Sequence, residues 1–420
     1  MAGAKIFLEI FLRVRKTFCL SVRFHTQAVN PCAGCGSVAR GPFLAMKRDL
    51  VFSIIIANYN YGRYVGDAID SALGQDWPHV EVIVVDDGST DDSAQVIAGY
   101  GDRITAVLTE NRGQREANNT GFSISHGDIV IFLDSDDVLL PSVLREIAAV
   151  WREGLSKVQV MMQRVDSQKR PNGGTVPKMA IAPPPERIRQ WVDATFEYPT
   201  PPSSANAWSR AFLNAIFPLD GTHDAATDST CIAMAPYMGD IVTIPLPLVL
   251  YRMHGANDST MTARDTNYSR EVARGMKRLQ AAQNACRIRG VPPPPSSILF
   301  SGGNLLQFRV ASLRLTPKTH PLPGDSRVRA VFDALLLPFR PSFQRLSTRI
   351  MIVGWSVLTL LAPARLARVL VTRPQRWMMS CPIMAMASAT APTSAIMTGV
   401  ATQGKAPWMD RPATAALDAV

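Results

Sequence analysis

Two acidic clusters constrain this sequence more than any other feature, because each directly follows a short apolar strand. The strand predicted over 80–85 precedes the first cluster, and the strand predicted over 129–133 precedes the second. The acidic residues are Asp86 and Asp87 in the first cluster and Asp134, Asp136 and Asp137 in the second. Parallel strands end at one edge of a sheet, so the five carboxylates are expected to converge there. Oxygen ligands that repel one another suit Mg²⁺ or Mn²⁺ shared with a phosphate-bearing substrate.

The surrounding pattern alternates between strands and helices. β-branched apolar runs predict strands, and apolar residues at helical spacing predict the helices between them. The predicted strands are 51–56, 80–85, 104–108 and 129–133, and the predicted helices are 65–73, 93–99 and 115–126. This alternation predicts an α/β fold with a doubly wound, mostly parallel sheet, whose ligands lie at the carboxyl ends of the strands.

Each acidic cluster also has a simpler interpretation. Asp-Asp-Gly-Ser-Thr after a strand is typical of an Asx turn that caps the next helix, and Asp-Ser-Asp-Asp is equally typical of a capped turn. Taken alone, either cluster fits this interpretation as well as a binding site. Their joint occurrence after two strands of one predicted sheet favours the site.

Several motifs in order along 51–141 resemble glycosyltransferase family 2, and a weaker likeness continues to residue 254. The motifs are Ser53 to Asn60, Asp86 to Asp91, Asn111 to Gln114, Ala117-x-Asn119-x-Gly121, Gly127-Asp128, Phe132 to Asp137 and Tyr251-Arg252-x-His254. The resemblance implies a GT-A-type fold and an inverting, hexosyltransferase-like enzyme that uses a nucleotide sugar. A UDP-sugar is the donor that it implies.

The resemblance also implies a donor site. Ala57 and Tyr59 lie where the family's first strand-end loop meets the nucleobase, and Asp86 or Asp87 lies where a carboxylate accepts a hydrogen bond from uracil. Many relatives carry Thr or Pro at the position of Ala57, so a side-chain contact is lost there and the backbone remains.

The same resemblance assigns metal-binding and catalytic roles. Asp134 and Asp136 match the D-x-D motif, in which the first carboxylate holds the ribose or a metal-bound water and the last binds Mg²⁺ or Mn²⁺. Asp228 matches the general base that deprotonates the acceptor hydroxyl, although Thr227 replaces the Glu that precedes it in relatives. Asp224, one helical turn earlier, is the rival base.

Arg252 and His254 have two interpretations at this stage. A cation near the donor diphosphate would stabilise the leaving group. An ordinary ion pair at the end of a strand explains the same residues equally well.

Charge and cysteine content limit the other classes. The net charge is +10, but residues 1–50 hold eight Lys and Arg against two carboxylates, and 321–376 hold nine Arg against two Asp, which leaves the middle mildly acidic. A nucleic-acid partner is therefore not expected, because such proteins carry their basic residues on the folded domain. Among six Cys, only Cys32 and Cys35 form a C-x-x-C, which predicts neither a disulfide framework nor a zinc fold. We expect a cytoplasmic protein.

The domain organisation follows from these changes along the chain. The GT-A domain is expected over 46–257, with Met46 as the native start, and a helical extension over 258–345. The Arg-flanked apolar run in 346–377 predicts a segment at the inner face of a membrane, and an ordinary packed helix is the alternative. Residues 1–45 show no pattern, and 378–420 are expected to be disordered.

The expected function is single addition of a sugar to a glycan or lipid-linked acceptor in cell-surface polysaccharide or glycolipid synthesis. Gln375-Arg376-Trp377 lacks the spacing of the motif found in processive relatives. The alternative is a degenerate module that binds a nucleotide sugar or glycan without turnover. A receiver-type domain is too short to explain the motifs, and an oxidoreductase is disfavoured because no G-x-G-x-x-G follows the first strand.

Overall fold

The structure is a computed structural model that describes residues 49–179, 181–254 and 266–372. The expectations for residues 1–45 and 378–420 lie outside these ranges, as do Cys32, Cys35 and Gln375 to Trp377. Elements are numbered in chain order, with β for strands and α for helices.

The first half of the chain forms the parallel part of the sheet. Its elements are β1 (Phe52–Asn58), α1 (Gly62–Leu73), β2 (Val80–Asp87), α2 (Ser93–Ala98), β3 (Thr105–Thr109), α3 (Gln114–Ile124) and β4 (Ile129–Asp134). β1 pairs in parallel with β2 and with β4, and β2 pairs in parallel with β3. The four predicted strands and the helices between them are confirmed.

The second half brings antiparallel strands into the same sheet. Its elements are β5 (Val138–Leu139), α4 (Val143–Val150), β6 (Leu155–Val165), β7 (Pro171–Val176), α5 (Pro185–Thr195), β8 (Asn206–Ser209), α6 (Arg210–Asn214), α7 (Thr227–Met238) and β9 (Asp240–Arg252). The sheet order is β3-β2-β1-β4-β8-β6-β9-β5, with β7 beside β6. β8 runs antiparallel to both β4 and β6, so the sheet is mixed.

Helices cover both faces of the sheet because its central strands are apolar on both sides. In β1, Ile54 and Ile56 pack into one cluster with Val65 and Ile69 of α1. Ile55, between them, packs into the opposite cluster with Phe122 of α3. Each such side chain contributes about 1.5–3 kcal/mol of hydrophobic stabilisation. The buried strands therefore hold the loops at their carboxyl ends on a rigid base.

A helical part follows the sheet, as predicted. Its helices are α8 (Thr266–Arg289), α9 (Gly303–Leu315), α10 (Arg327–Leu336), α11 (Leu346–Leu361) and α12 (Ala364–Thr372). Ala282 and Ala285 of α8 share a core cluster with Cys231 and Met234 of α7, so the extension packs on the sheet domain. The α/β class with a helical C-terminal part is confirmed.

α11 carries most of the apolar run for which a membrane-facing position was expected. Ile352, Trp355 and Leu360 of this helix are buried in a cluster with residues of α9 and α10. Among residues 49–179, 181–254 and 266–372, no helix has both the length and the apolar character needed to cross a bilayer.

Candidate active site

The carboxyl ends of β1, β2 and β4 border a cavity of about 650 Å³. The sheet register sets Asn58 beside Asp86 and Ala57 beside Asp134, so that the three strand ends meet. Six of the seven residues that the sequence predicts for the site line this cavity: Ala57, Tyr59, Asp87, Asp134, Asp136 and Asp228. The seventh, Asp86, is not among the lining residues.

The two adjacent carboxylates at the end of β2 have different surroundings. Asp86 is buried and accepts hydrogen bonds from Asn58 Nδ2 at 2.7 Å, from Ser89 Oγ at 2.6 Å and from the Ser89 backbone N–H at 3.1 Å. Asp87 accepts from the backbone N–H groups of residues 112 and 113 at 2.8 and 2.7 Å. Asp86 therefore stabilises the loop that follows β2 and is not among the cavity-lining residues. Asp87 stabilises the loop at residues 112–113 and also lines the cavity.

The loop after β1 is tied to the loop after β2. Asn60 has a φ of +56°, in the left-handed region, and its side-chain oxygen accepts from the Thr90 backbone N–H at 2.7 Å. Ser135 Oγ donates to the carbonyl oxygen of Ala57 at 2.7 Å, so this backbone group already has one partner. Tyr59 is 46% exposed at the cavity, which leaves its ring available to a ligand.

The carboxylates after β4 share partners and raise one another's pKa. Ser204 Oγ donates to Asp137 Oδ2 at 2.6 Å and accepts from the Asp134 backbone N–H at 3.1 Å. Burial, followed by the charges of neighbouring carboxylates, raises the pKa of both Asp134 and Asp137 well above the ordinary range. Asp136 is among the neighbours that raise both values. The site is thus short of positive charge.

Asp136 is also linked to the end of β9. His254 Nε2 lies 2.9 Å from Asp136 Oδ2, and the imidazole stacks on the Tyr64 ring with 5.0 Å between centroids. Arg252 is buried, bonds Asp67 Oδ2 at 2.7 Å and donates from Nε to the Asp136 carbonyl at 2.8 Å. Arg252 therefore forms a structural ion pair with Asp67, which is the second of the two interpretations given above. His254 instead contacts Asp136, a carboxylate that lines the cavity.

The two candidate bases differ in their surroundings. Asp224 is buried, pairs with Arg274 Nε at 2.7 Å and accepts from Ser229 Oγ at 2.7 Å. Burial alone would raise the pKa of Asp224, but these hydrogen bonds bring it below the ordinary value. Asp228, in the first turn of α7, lines the cavity, and burial raises its pKa. The charge of Asp228 also raises the pKa of Asp134, so it lies on the side of the D-x-D carboxylates.

The carboxylates at the cavity suit a divalent cation that is shared with a substrate. In the described part of the chain, no group of three His, Cys, Asp or Glu side chains is placed to hold a metal ion by itself. Mg²⁺ is usually bound by one or two carboxylates together with substrate phosphates, and not by an all-protein cage. Asp134 and Asp136, both lining the cavity, fit that mode, since a cation would relieve the repulsion that raises the pKa of Asp134.

Sequence reasoning missed three residues around the cavity. Ser204 bridges the carboxylates after β4, and Arg274 of α8 lines the cavity although it lies beyond the resemblance. Lys157 is fully buried, and its Nζ donates to Asn206 Oδ1 at 2.7 Å and to Thr200 Oγ1 at 3.0 Å. Burial lowers the pKa of Lys157 well below its ordinary value. None of the three lies in a motif, so no local signal was available to find them.

Comparison with known proteins agrees with this geometry. The family model for glycosyl transferase family 2 matches residues 53–214. An uncharacterized glycosyltransferase from Nostoc is 35% identical over 223 residues, which is 51% of this chain and 68% of the relative. The chain belongs to glycosyltransferase family 2. As a family member, it is a transferase of sugars.

Other glycosyltransferases are also similar to this chain. The poly(ribitol-phosphate) β-N-acetylglucosaminyltransferase TarS of Staphylococcus aureus is 32% identical over 133 residues, 30% of this chain and 22% of TarS. A crystal structure of TarS residues 1–349 with UDP-GlcNAc aligns with a TM-score of 0.46 at 18% identity, covering 74% of this chain and 90% of that one. A Pyrobaculum calidifontis mannosyltransferase with GDP-Man and Mn²⁺ aligns with a TM-score of 0.42 at 18% identity, covering 79% and 88%.

Proposed function

We propose that this protein transfers a hexose from a UDP-sugar to a hydroxyl group, with inversion at the anomeric carbon. The observation that carries the proposal is the single cavity in which Asp228 of α7 meets the D-x-D carboxylates of β4 and the strand-end residues of β1 and β2. Family membership supports the reaction class, and the geometry supports these roles.

At the donor end, the nucleobase is proposed to stack on Tyr59 and to donate a hydrogen bond to Asp87. Asp87 is favoured over Asp86 because Asp87 is among the residues that line the cavity and Asp86 is not. Ala57 offers its backbone. Asp134 is proposed to hold the ribose or a metal-bound water.

Mg²⁺ or Mn²⁺ is proposed to bind at Asp136, beside Asp134. When bound, such a cation would neutralise negative charge on the donor diphosphate. His254 holds one oxygen of Asp136 and thereby orients the other. The chain's own residues thus keep the carboxylate in place.

At the acceptor end, Asp228 is proposed as the general base. Its carboxylate takes the proton as the acceptor oxygen attacks the anomeric carbon, and the bond from that carbon to the diphosphate oxygen breaks. The electron pair of that bond leaves with the nucleoside diphosphate. Attack opposite the leaving group is a single displacement, so the sugar is inverted without a covalent enzyme intermediate.

We further propose a single addition to a glycan or lipid-linked acceptor in cell-surface polysaccharide or glycolipid synthesis, in the cytoplasm at the inner face of the membrane. An exposed apolar stripe on α10 and on the turn that follows it supports the membrane contact. Val328, Phe332, Leu335 and Phe339 follow one another at helical spacing and are 67%, 63%, 49% and 85% exposed. Residues 327–372 contain seven Arg and one acidic residue, Asp333, which is buried. A membrane with anionic lipid would bind the arginines through its headgroups and the apolar stripe through its acyl chains.

The alternative remains a module that binds a nucleotide sugar without turnover. It is favoured by Thr227, which stands where relatives carry Glu and whose Oγ1 accepts a hydrogen bond from the buried Asn118 Nδ2 at 2.9 Å. In this chain, that position packs the start of α7 against α3.

A donor screen tests the proposal. The full-length protein is incubated with a panel of UDP- and GDP-sugars with Mg²⁺ or Mn²⁺, and nucleotide release is measured beside Asp136→Ala. We expect metal-dependent release from a UDP-sugar that is lost in the variant. Binding of donors without release would establish the non-catalytic module instead. No binding at all by the folded protein would refute both.

A further inference from the structure

The helical extension contributes a side chain to the active-site cavity. Arg274 of α8 lies in the cavity wall, and its side chain is 29% exposed. Its Nε pairs with Asp224 Oδ2 at 2.7 Å, and its Nη1 pairs with Glu271 Oε1 at 2.8 Å. The two carboxylates are each only 8% exposed. These are well-formed, partly buried ion pairs, which are more strongly coupled than pairs at the open surface.

A second arginine of α8, Arg278, contacts the residue that follows Asp228 in the chain. Ser229 Oγ donates to Asp224 Oδ2 at 2.7 Å and accepts from Arg278 Nε at 3.0 Å. Arg278 Nη2 also lies 3.4 Å from Glu271 Oε2. Asp224 precedes Asp228 in the chain and Ser229 follows it. The two arginines of α8 therefore contact the segment that carries the proposed base on both sides of Asp228.

We propose that Arg274 is a positioning residue for the transfer reaction, which holds Asp224 and thereby orients Asp228 toward the acceptor. This inference rests on the proposed function of Asp228. It assigns to α8 a part in catalysis, because the sheet domain by itself leaves Asp224 without its cation. Reaction rates are sensitive to such alignment, and displacements of about 1 Å can cost about 100-fold.

The charges around Asp228 also support a role for Arg274. Burial raises the pKa of Asp228, and the charges of Arg274 and Arg278 counteract that shift. The negative charge of Asp224 opposes them. Asp134 of β4 faces the same group, as does the buried Lys157 of β6. Arg274 is therefore the charge that most strongly counteracts the rise in the pKa of Asp228.

The test measures kcat and the donor KM for hydrolysis of the screened UDP-sugar by the full-length protein. Arg274→Ala, Arg274→Lys, Asp224→Asn and the double variant Arg274→Ala/Asp224→Asn are compared. Arg287→Ala is the matched control, since Arg287 is an exposed arginine of the same helix. Thermal melting of each variant reports whether it is folded.

We expect Arg274→Ala to lower kcat about 10- to 100-fold with the donor KM changed less than about twofold. Arg274→Lys should recover part of the loss, and the double variant should be no worse than the more damaged single variant, because the pair acts as a unit. Arg287→Ala should match the wild type.

Two results would overturn the inference while leaving the proposed function intact. One is a folded Arg274→Ala variant with wild-type kcat. The other is losses in Arg274→Ala and Asp224→Asn that multiply in the double variant, which would mean that the two residues act separately. Inactivity of the folded wild type, by contrast, would refute the proposed function itself.

Discussion

At the scale of single residues, the site shows how neighbours set the role of a carboxylate. Asp86 and Asp87 are adjacent, yet the first is enclosed by side-chain donors and the second faces the cavity. Asp224 and Asp228 differ in the same way, because an arginine neutralises only the first directly. Position at the cavity separates Asp87 from Asp86, since both oxygens of Asp87 also accept hydrogen bonds from the backbone.

Asp228→Asn tests the proposed base. We expect kcat for hydrolysis to fall about 10²- to 10⁴-fold, since a neutral amide cannot accept the proton. Donor affinity, measured by calorimetry, should stay within a few fold because the nucleotide binds at the other strand ends. If Asp224→Asn were inactive while Asp228→Asn kept its activity, Asp224 would be the base.

Glu197 gives a prediction for pH-dependent stability. Its carboxylate accepts from the backbone N–H groups of Asn304 and Leu305 at 2.9 and 3.0 Å, at the start of α9. Burial raises its pKa from 4.5 to about 7. The folded state therefore binds a proton that the unfolded state releases, so the contribution of Glu197 to the free energy of unfolding is fully present below about pH 4.5 and is lost as pH rises through about 7.

The measurement is urea unfolding of the wild type and Glu197→Gln at pH 5 and pH 8. The stability of the wild type relative to the variant should fall by about 2–3 kcal/mol between the two pH values, because one pKa unit corresponds to about 1.4 kcal/mol. An equal difference at both pH values would show that Glu197 does not titrate in this range.

At the scale of elements, the helical extension is organised around a buried arginine. Arg309 of α9 is fully buried and bonds Asp325 at 2.8 Å and Asp333 of α10 at 2.7 Å. Its guanidinium carbon also lies 4.5 Å from the centroid of the Phe300 ring. One side chain thus joins α9 to α10 and to the segment that precedes α9.

Replacing Arg309 with Met should destabilise this part of the protein by about 3–5 kcal/mol. The loss arises because Asp325 and Asp333 then remain buried without the guanidinium group that bonds both of them. Urea unfolding measures it, with Arg327→Ala, an exposed arginine of α10, as the control that should change stability by less than about 0.5 kcal/mol. A neutral effect of Arg309→Met would mean that the carboxylates protonate or find water.

At the scale of the whole molecule, charge and apolar surface are unevenly distributed. The sheet domain concentrates carboxylates around its cavity, whereas the last helices combine exposed apolar side chains with arginines. This distribution is consistent with the proposal that the acceptor is anchored in lipid.

Vesicle sedimentation tests the proposed lipid surface. The wild type should bind vesicles with anionic lipid more than purely zwitterionic ones, and added salt should weaken the binding because the attraction is electrostatic. Phe332→Ser/Phe339→Ser should reduce binding at least several-fold, while Ile181→Ser, at another exposed apolar residue, should not. Equal binding by the wild type and the double variant would rule out this surface.

Local patterns determined the parallel half of the sheet and the meeting of carboxylates at its edge. Strands such as β1 and β4 are continuous apolar runs, and their ends are marked by Asn58 and Asp134, so both signals lie within a few residues. The insertion of β8 between β4 and β6 was not predicted, because strand neighbours depend on pairing between distant segments.

Only the tertiary structure decided which carboxylates face the cavity and what charge opposes them. Asp86 and Asp87 cannot be told apart by composition, since their roles depend on donors supplied by other loops. Arg274 contacts Asp224 because α8 packs on α7. No sequence motif spans these two helices, so the contact could not be predicted. Burial and the field of neighbouring charges are properties of the folded arrangement, and they separate a structural carboxylate from one that is available for chemistry.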